Sequence, residues 1–408
     1  MKPNKLIYAL FVGGFIGGAL GLSIQVQGQA GILLKVDELA QTYVKQPRNM
    51  ALEVGLLVNG KTYFSGFGKL SKEQMLPPDE HTAFELGALS GVFTTTLLAI
   101  LEGRQQIIPD ATVGQLLPKG FESPVFNSER LIAVTPPSEA GVPPERIVTC
   151  VPDPIAGTRE IAVCQLAYHA SGLTCSCSDL YRWHPLAQVN LQKDPPRDVD
   201  SAEAFFREAA LFKFNHPPGE KWTFSNIGIA YLGHLLSASS GIPFEALLER
   251  ELFRPLGLKD TRIKWMPNRS HLMAPGHDAK GKPAPSWELV GMAPAAGLKS
   301  SAYDLMQLIQ AQLQLIPGIT QGAALQAQQG MIEARFPGWK RPTLAAYGWL
   351  VSTDEQNRAI AWMNGGTGGY RAFAGFDANR KIGVVLLSNS QGDLTELGFA
   401  IFRQLLDL

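Results

Sequence analysis

Short apolar runs typical of strands lie near both ends of the chain. Residues 52–58 (LEVGLLV) and 61–68 (KTYFSGFG) flank an Asn-Gly dipeptide, which favours a type I′ hairpin turn. A second hairpin is predicted from residues 371–377 (RAFAGFD) and 381–390 (KIGVVLLSNS), with a three-residue loop between them. The pattern therefore predicts one antiparallel sheet that is assembled from the two termini.

Between these hairpins, apolar residues recur at the spacing of helices. Helices are predicted at 88–103, 161–172, 201–213, 226–240, 243–254, 301–315 and 393–407. Ser301 is expected to cap the helix at 301–315. The fold class is therefore α+β: an antiparallel sheet flanked by helices, with an α-helical lobe at about 84–300.

Residues 117–158 break this pattern because they are rich in proline and lack helical periodicity. They are predicted to form a long surface excursion. Four cysteines lie in or near it: Cys150, Cys164, Cys175 and Cys177. In an exported chain disulfides are the natural interpretation, and three pairings stay open. A metal site at Cys175, Cys177 and His169 fits no common zinc spacing, so neither a metal nor a cofactor is predicted.

The N-terminus predicts export. Two lysines, Lys2 and Lys5, precede residues 6–24, which are uncharged and mostly apolar. Residues 1–30 are therefore either a signal peptide, with a small-residue cleavage site at 28–30, or an N-terminal membrane anchor. In both cases residues 31–408 are exported, to the periplasm or to the outer face of the inner membrane.

Composition excludes one class of function. Lys+Arg and Asp+Glu number 36 each, and no long basic run is present, so binding to nucleic acid has no electrostatic support. Hydrophobic residues make up 45% of the chain and charged residues 18%, which is enough for a substantial buried core.

Six segments follow one another along the chain: FELGALSGVFTTTLLAILEG, LAYHASGL, HPPGEKWTFSNIGIAYLGHLL, LFRPLGLKDT, PAAGLKSSAYDL and NGGTGGYRAFAGFD followed by KIGVVLLSNS. In this order they resemble serine β-lactamases of class C, together with D-alanyl-D-alanine carboxypeptidases and related esterases of the penicillin-binding-protein type. The resemblance covers nearly all of residues 35–408 and implies a β-lactamase/transpeptidase-like fold.

The resemblance also shows which chemistry is missing. The family's Ser-x-x-Lys places a nucleophile and a proton acceptor on one helix face, and here those positions are Ala88 and Gly91. The tyrosine of the family's Tyr-x-Asn is Phe224, and the Lys or His that precedes x-Gly is Met363. None of these four side chains attacks an acyl group or carries a proton, so no catalytic residue is predicted.

Part of the family's binding machinery is kept. The two backbone N–H groups of its oxyanion hole map to Ala88 and Gly366, and these donors do not depend on side chains. Asn226 and Thr367 remain as polar contacts. The ligand pocket is therefore predicted at Ala88, Asn226, Gly366 and Thr367, where a carbonyl or a carboxylate is held without reaction. The alternative is that these residues only maintain turns and strands.

Two other serines lie near the missing nucleophile. Ser90 is expected to point away from the cleft, because it lies two residues along the helix from Ala88, and to form buried hydrogen bonds. Ser225 lies between Phe224 and Asn226, and neither serine has an obvious base. His169 matches a family position that fixes a turn.

The sequence thus predicts an exported, catalytically inactive β-lactamase-like protein that binds a ligand or a protein partner. A peptidoglycan-like peptide is the ligand that the resemblance implies. One alternative is a hydrolase or esterase that uses Ser90 or Ser225. Another is a membrane-tethered scaffold whose working surface is the proline-rich excursion with its cysteines.

Overall fold

The computed structural model describes residues 19–108, 110–127, 129–134, 147–152, 158–173, 199–212, 214–354 and 356–406. The strands are β1 Ala51–Val58, β2 Lys61–Gly68, β3 Ala83–Glu85, β4 Val125–Asn127, β5 Glu129–Val134, β6 Ile147–Pro152, β7 Thr158–Glu160, β8 Lys299–Ser301, β9 Ile332–Glu333, β10 Thr343–Ala345, β11 Leu350–Thr353, β12 Ala359–Gly366, β13 Arg371–Asp377 and β14 Ile382–Ser388.

The α-helices are α1 Ala19–Val44, α2 Gly91–Gly103, α3 Val113–Leu116, α4 Val163–Ala167, α5 Ala202–Ala209, α6 Asn226–Ser240, α7 Phe244–Leu248, α8 Arg254–Leu256, α9 Ala293–Ala296, α10 Ala302–Gln312, α11 Gln321–Gln326 and α12 Thr395–Leu405. Two 3₁₀ segments, Gly87–Ser90 and Pro267–Leu272, and a π-helical turn, Glu249–Phe253, complete the described elements.

The main sheet has eight strands in the order β2-β1-β14-β13-β12-β11-β10-β9, and every neighbouring pair is antiparallel. Strand β1, from the N-terminal part of the chain, pairs directly with β14 near the C-terminus, from Leu52↔Ser388 to Leu57↔Gly383. The predicted α+β architecture, with one sheet assembled from both termini, is confirmed.

Helices cover both faces of this sheet. An added Cβ at Gly383 would contact Ile309 on α10, whereas the Ser388 hydroxyl accepts a hydrogen bond from Tyr43 on α1. Because residues an odd number apart on a strand point to opposite faces, α10 and α1 lie on opposite sides. Helix α12 shares the face of α1, since the two helices pack together. A helical lobe around α2, α6 and α9 continues from the α10 side.

Both predicted hairpins form. Asn59 and Gly60 have φ values of 51° and 73°, the left-handed pair that a type I′ turn requires. The second loop has four residues, 378–381, rather than the predicted three, because Asp377 pairs with Ile382. Asp377 closes this loop by accepting hydrogen bonds from the N–H groups of Asn379 and Arg380, at 2.8 and 2.9 Å.

The helix predictions hold in position but not always in length. The helix at 226–240 is confirmed, and Ser301 caps α10 by accepting a hydrogen bond from the Asp304 N–H at 3.2 Å. The segment predicted as a helix over 161–172 is helical only over Val163–Ala167. It stops there because His169 adopts a φ of 58°, which no α-helix continues.

The proline-rich excursion contains strands that the sequence analysis did not predict. Strands β4 and β7 pair with each other, and β5 pairs with β6, so the described parts of the insertion form an antiparallel ribbon. Cys164, predicted as a disulfide candidate, is a free thiol in the described chain. The side chain of Cys150, and Cys175 and Cys177 altogether, lie outside the described residues.

The predicted leader lies mostly outside the described residues, which begin inside it at Ala19. Helix α1 runs without a break through the predicted cleavage site at 28–30. Among the helices that are described, none alone has the length and apolarity to cross a membrane, and one bent pair, Asn226–Ser240 with Phe244–Leu256, meets the criterion by length and composition.

Candidate active site

The site is built where the end of β12 packs on the 3₁₀ segment Gly87–Ser90. A Cβ at Gly365 would lie 2.0 Å from the Leu86 carbonyl oxygen and 2.9 Å from the Ala88 nitrogen. Gly87 has a φ of 52°, and a Cβ there would lie 2.4 Å from the Gly366 carbonyl oxygen. Only glycine permits this contact between two backbones, and at Gly87 it also permits the left-handed conformation.

This packing brings two backbone donors to one place. The Ala88 N–H lies in the first turn of the 3₁₀ segment, where N–H groups have no acceptor in their own helix. On the strand, the Thr367 N–H donates to the Tyr370 carbonyl at 3.1 Å, and bonded and non-bonded pairs alternate along an antiparallel ladder. The next pair, Gly366 with Arg371, is therefore non-bonded, and the Gly366 N–H points away from β13.

Among the described strands, none pairs with Gly366 on its other side. Strand β11 pairs with β12 only from Ala359 to Trp362, so the last four residues of β12 have no described strand neighbour there. The structure therefore places the backbone of Gly366 beside the segment that carries Ala88. A pair of backbone N–H donors suits a carbonyl oxygen or an oxyanion.

The position of the family's lysine is closed by a hydrocarbon side chain. A Cβ on Gly91 would lie 3.3 Å from Cγ2 of Ile229 on α6, which is tighter than ordinary contact. Met363 is only 5% exposed and belongs to the hydrophobic core. Neither the helix position nor the strand position therefore carries a charged side chain.

The loop that carries Phe224 is held by a buried histidine. The Ser225 N–H donates to Nδ1 of His169 at 3.1 Å, and the Phe224 ring packs against the imidazole at a tilt of 36°, with centroids 4.6 Å apart. Burial lowers the pKa of His169 to about 4, so the ring is neutral at physiological pH. The prediction that His169 fixes this turn agrees with this geometry.

The two predicted polar contacts of the pocket are buried. Asn226, the first residue of α6, is 5% exposed. The Thr367 hydroxyl is also buried, and it lies beside the carboxyl group of Glu85, whose pKa it lowers. The structure thus places Ala88, Gly366 and Thr367 around one strand end and Asn226 at the start of the neighbouring helix.

Both alternative serines are buried and hydrogen-bonded to the backbone. The Ser90 hydroxyl is fully buried and accepts the Leu298 N–H at 3.0 Å, as its predicted orientation requires. Ser225 is 1% exposed, and its hydroxyl caps α6 by accepting a hydrogen bond from the Gly228 N–H at 3.0 Å. Each hydroxyl therefore stabilises a backbone turn.

One polar group at this site was missed by the sequence analysis. Glu85 accepts hydrogen bonds from the Ser286 hydroxyl and from the Trp287 N–H, the latter at 2.7 Å. Its burial raises its pKa, and Lys299 opposes that rise. Glu85 thus ties the segment around Ser286 to the start of the site. Ser286 lies 201 residues further along the chain than Glu85, so no local sequence pattern predicts this contact.

No metal-binding cluster of three or more His, Cys, Asp or Glu side chains occurs within the part of the chain that the structure describes. The family model of β-lactamases matches residues 36–406, which is most of the chain. The protein belongs to the β-lactamase family.

The relatives agree with this assignment at low identity. A β-lactamase of Pseudomonas fluorescens is 25% identical over 87% of this chain and 92% of the relative, and one of Escherichia coli is 22% identical over 85% of each. These curated relatives are named β-lactamases.

Solved structures show the same fold. A class C β-lactamase superposes with a TM-score of 0.70 at 20% identity, covering 92% of this chain and 96% of that structure. A D-alanine carboxypeptidase of Burkholderia cenocepacia has a TM-score of 0.68 at 20% identity, covering 93% and 99%. The class C β-lactamase/transpeptidase-like fold predicted from the sequence is confirmed.

Proposed function

We propose that this β-lactamase family member is catalytically inactive and binds a ligand or a protein partner in its cleft. The observation that carries the proposal is the replacement of all four reacting groups at Ala88, Gly91, Phe224 and Met363 while the backbone around them keeps its contacts. Acyl transfer in this fold needs a nucleophile and a group that takes its proton. None of the four side chains now at these positions can serve in either role.

The surrounding geometry argues against a substitute. Ile229 occupies the space next to Gly91, and Met363 is part of the core, so neither change leaves a polar vacancy. Ser90 and Ser225 are engaged by backbone N–H groups, and the nearest described histidine to Ser225, His169, already accepts a backbone hydrogen bond through Nδ1. The remaining functions of the cleft are therefore binding functions.

The location and the ligand are further parts of this proposal. The apolar N-terminal stretch, residues 6–24, supports export, with the protein in the periplasm or on the outer face of the inner membrane. The solved relatives include a D-alanine carboxypeptidase, which supports a peptidoglycan-like peptide as the bound molecule. The intact mass of the exported form distinguishes a removed leader from a retained one.

The test is turnover with three classes of acyl substrate: a chromogenic cephalosporin, a fluorescent penicillin and a panel of p-nitrophenyl esters. We expect no hydrolysis above buffer and no covalent adduct. Ser90→Ala and Ser225→Ala are the matched variants, because each removes one of the two candidate hydroxyl groups. Turnover that disappears in either variant would establish the protein as a hydrolase with altered machinery.

A further inference from the structure

We infer that a pocket in the helical lobe, separate from the cleft, binds an uncharged, mainly apolar molecule that carries a hydroxyl group. This pocket, called the lobe pocket here, lies in the corner between α6, α7 and α9, and its volume is about 510 Å³. A volume of this size is usual for sites that bind small molecules. One of its lining residues, His234, follows Asn226 by eight residues on α6, which is about 12 Å along the helix axis. The apolar part of its lining includes Pro243, Phe244, Ile263, Leu289 and Pro294.

The corner is formed by the turn that ends α6. Gly241 stops the helix by adopting a φ of 67°, and the helical stretch that follows leaves at 80° to α6. The Ser237 hydroxyl fixes this turn by donating to the Ile242 carbonyl at 2.7 Å. On the other side α9 approaches α6 closely, because a Cβ on Gly233 would lie only 2.3 Å from Cβ of Pro294. The walls of the lobe pocket are therefore held by backbone geometry.

The imidazole of His234 gives the lobe pocket a hydrogen-bond acceptor. Its Nε2 lies 2.7 Å from the Gly291 carbonyl oxygen, and since a carbonyl only accepts, Nε2 carries the hydrogen. Burial lowers the pKa of His234, so the ring is neutral at physiological pH and Nδ1 keeps its lone pair. Phe205 and Phe206 pack against the ring with centroids 4.9 and 6.2 Å away, and they limit its rotation. A hydroxyl group on the ligand is the complement of this acceptor.

The charges at the rim of the lobe pocket balance. Glu288 forms an ion pair with the buried Lys299 at 3.2 Å. Glu245 accepts hydrogen bonds from the backbone N–H groups of Ile263 and Lys264, at 2.8 and 3.3 Å, so its carboxylate lies at the segment that carries the Lys264 ammonium. Two charges of each sign give no net attraction for an anion or a cation. A charged ligand would lose hydration without gaining a counter-charge, so an uncharged one is favoured.

The experiment compares 4-propylphenol with 1-fluoro-4-propylbenzene, which have similar shapes, although only the phenol donates a hydrogen bond. Dissociation constants are measured by NMR titration of the full chain at pH 7.5, where the phenol is uncharged. We expect the phenol to bind and the fluoro compound to bind several-fold more weakly. The anion 4-propylbenzoate should bind at least about tenfold more weakly than the phenol.

Variants locate the bound phenol. Ala202 is half-buried and lines the lobe pocket, so Ala202→Trp should fill it and abolish binding, whereas Ala204→Trp, on the same helix but outside the lining, should not. His234→Phe keeps the ring and removes the acceptor, so the phenol should lose its advantage over the fluoro compound. Circular dichroism verifies that each variant is folded.

Two results would overturn the inference. If the phenol does not bind, or binds equally well to Ala202→Trp, the lobe pocket is not its site. If the fluoro compound or the benzoate binds as tightly as the phenol, the ligand class is wrong. Neither result bears on the proposed function, because the cleft is a separate site.

Discussion

The cleft differs from the rest of the protein, called the body here, in the ionisable groups that it contains. In the body, Glu53, Asp304 and Lys299 are buried with exposures of 0 to 1%. In the cleft, the four positions to which the family resemblance assigns a charged group or a reactive hydroxyl carry a methyl group, a hydrogen, a phenyl ring and a thioether. Buried charge costs several kcal/mol unless it is paired. The fold therefore retains buried ionisable groups in its body, whereas none is present at these four positions of the cleft.

The buried ionisable groups of the body show that the change to uncharged side chains is confined to the cleft. Asp304 accepts hydrogen bonds from the Asp260 N–H and the Thr261 hydroxyl, at 2.7 and 2.8 Å, and so holds the loop before β8. Lys299 donates to the carbonyl oxygens of Ile263 and Trp287. A general drift toward apolar residues would have removed such groups too. Substitutions of residues that hold the backbone around the cleft should consequently have large effects on stability, and substitutions at the four positions themselves small ones.

The largest effect is expected for Gly365→Ala. A methyl group there would collide with backbone atoms of Leu86 and Leu89, at 2.0 and 2.6 Å, and backbone cannot move aside as a flexible side chain does. We expect a loss of about 3 kcal/mol in the free energy of unfolding, measured by urea denaturation. Gly322→Ala is the control, because nothing lies within 4 Å of its added Cβ. That helical variant should be neutral or more stable, and equal losses in both would refute the packing argument.

The next effect is expected for His169→Leu. The change leaves the buried Ser225 N–H without its acceptor and places a bulky residue at a φ of 58°. We expect a loss of about 2 kcal/mol in the free energy of unfolding. His271→Leu, at an exposed histidine, should change it by less than about 0.5 kcal/mol. A His169 variant as stable as wild type would show that the histidine does not hold the loop.

A smaller effect, of opposite sign, is expected for Glu53→Gln. Burial, together with the nearby Glu80 and Asp79, raises the pKa of Glu53 well above its ordinary value. The folded state therefore keeps a proton that the unfolded state releases above about pH 4.3. Stability is highest below that pH and falls as the pH rises toward the folded-state pKa.

Glutamine removes this penalty. At pH 8 the variant should be more stable than wild type by on the order of 1 kcal/mol, and at pH 4 the two should agree. Glu122→Gln, at an exposed glutamate, should show no such pH dependence. The paired urea denaturations at the two pH values measure the effect, and a variant that is destabilised at pH 8 would contradict a protonated Glu53.

The smallest effect is expected for Ala88→Ser. The residue is half-buried at the start of the 3₁₀ segment, so a hydroxyl group should change stability by less than about 1 kcal/mol. It should also produce no turnover of a chromogenic cephalosporin, because neither Gly91 nor Met363 takes a proton from it. Hydrolysis by this single variant would show that a proton acceptor is present after all.

Local patterns account for what the sequence predicted correctly. The Asn-Gly dipeptide fixed the first hairpin, and Ser301 marked the start of α10. Long-range contacts account for what it missed. The contact of Glu85 with Ser286 forms only when the chain folds, so the sequence around Glu85 does not predict it. Glu53 has the sequence pattern of an exposed polar strand residue, although it is fully buried. The ribbon in the insertion escaped prediction because prolines interrupt the strand pattern.

The central claim is that no side chain in this cleft acts as a nucleophile. The most direct measurement is the intact mass of the exported protein after prolonged exposure to a fluorophosphonate, with peptide mapping of any labelled residue. An unchanged mass agrees with the account. A stoichiometric adduct on Ser90, on Ser225 or on Ser286, whose hydroxyl meets the Glu85 carboxylate, would contradict it.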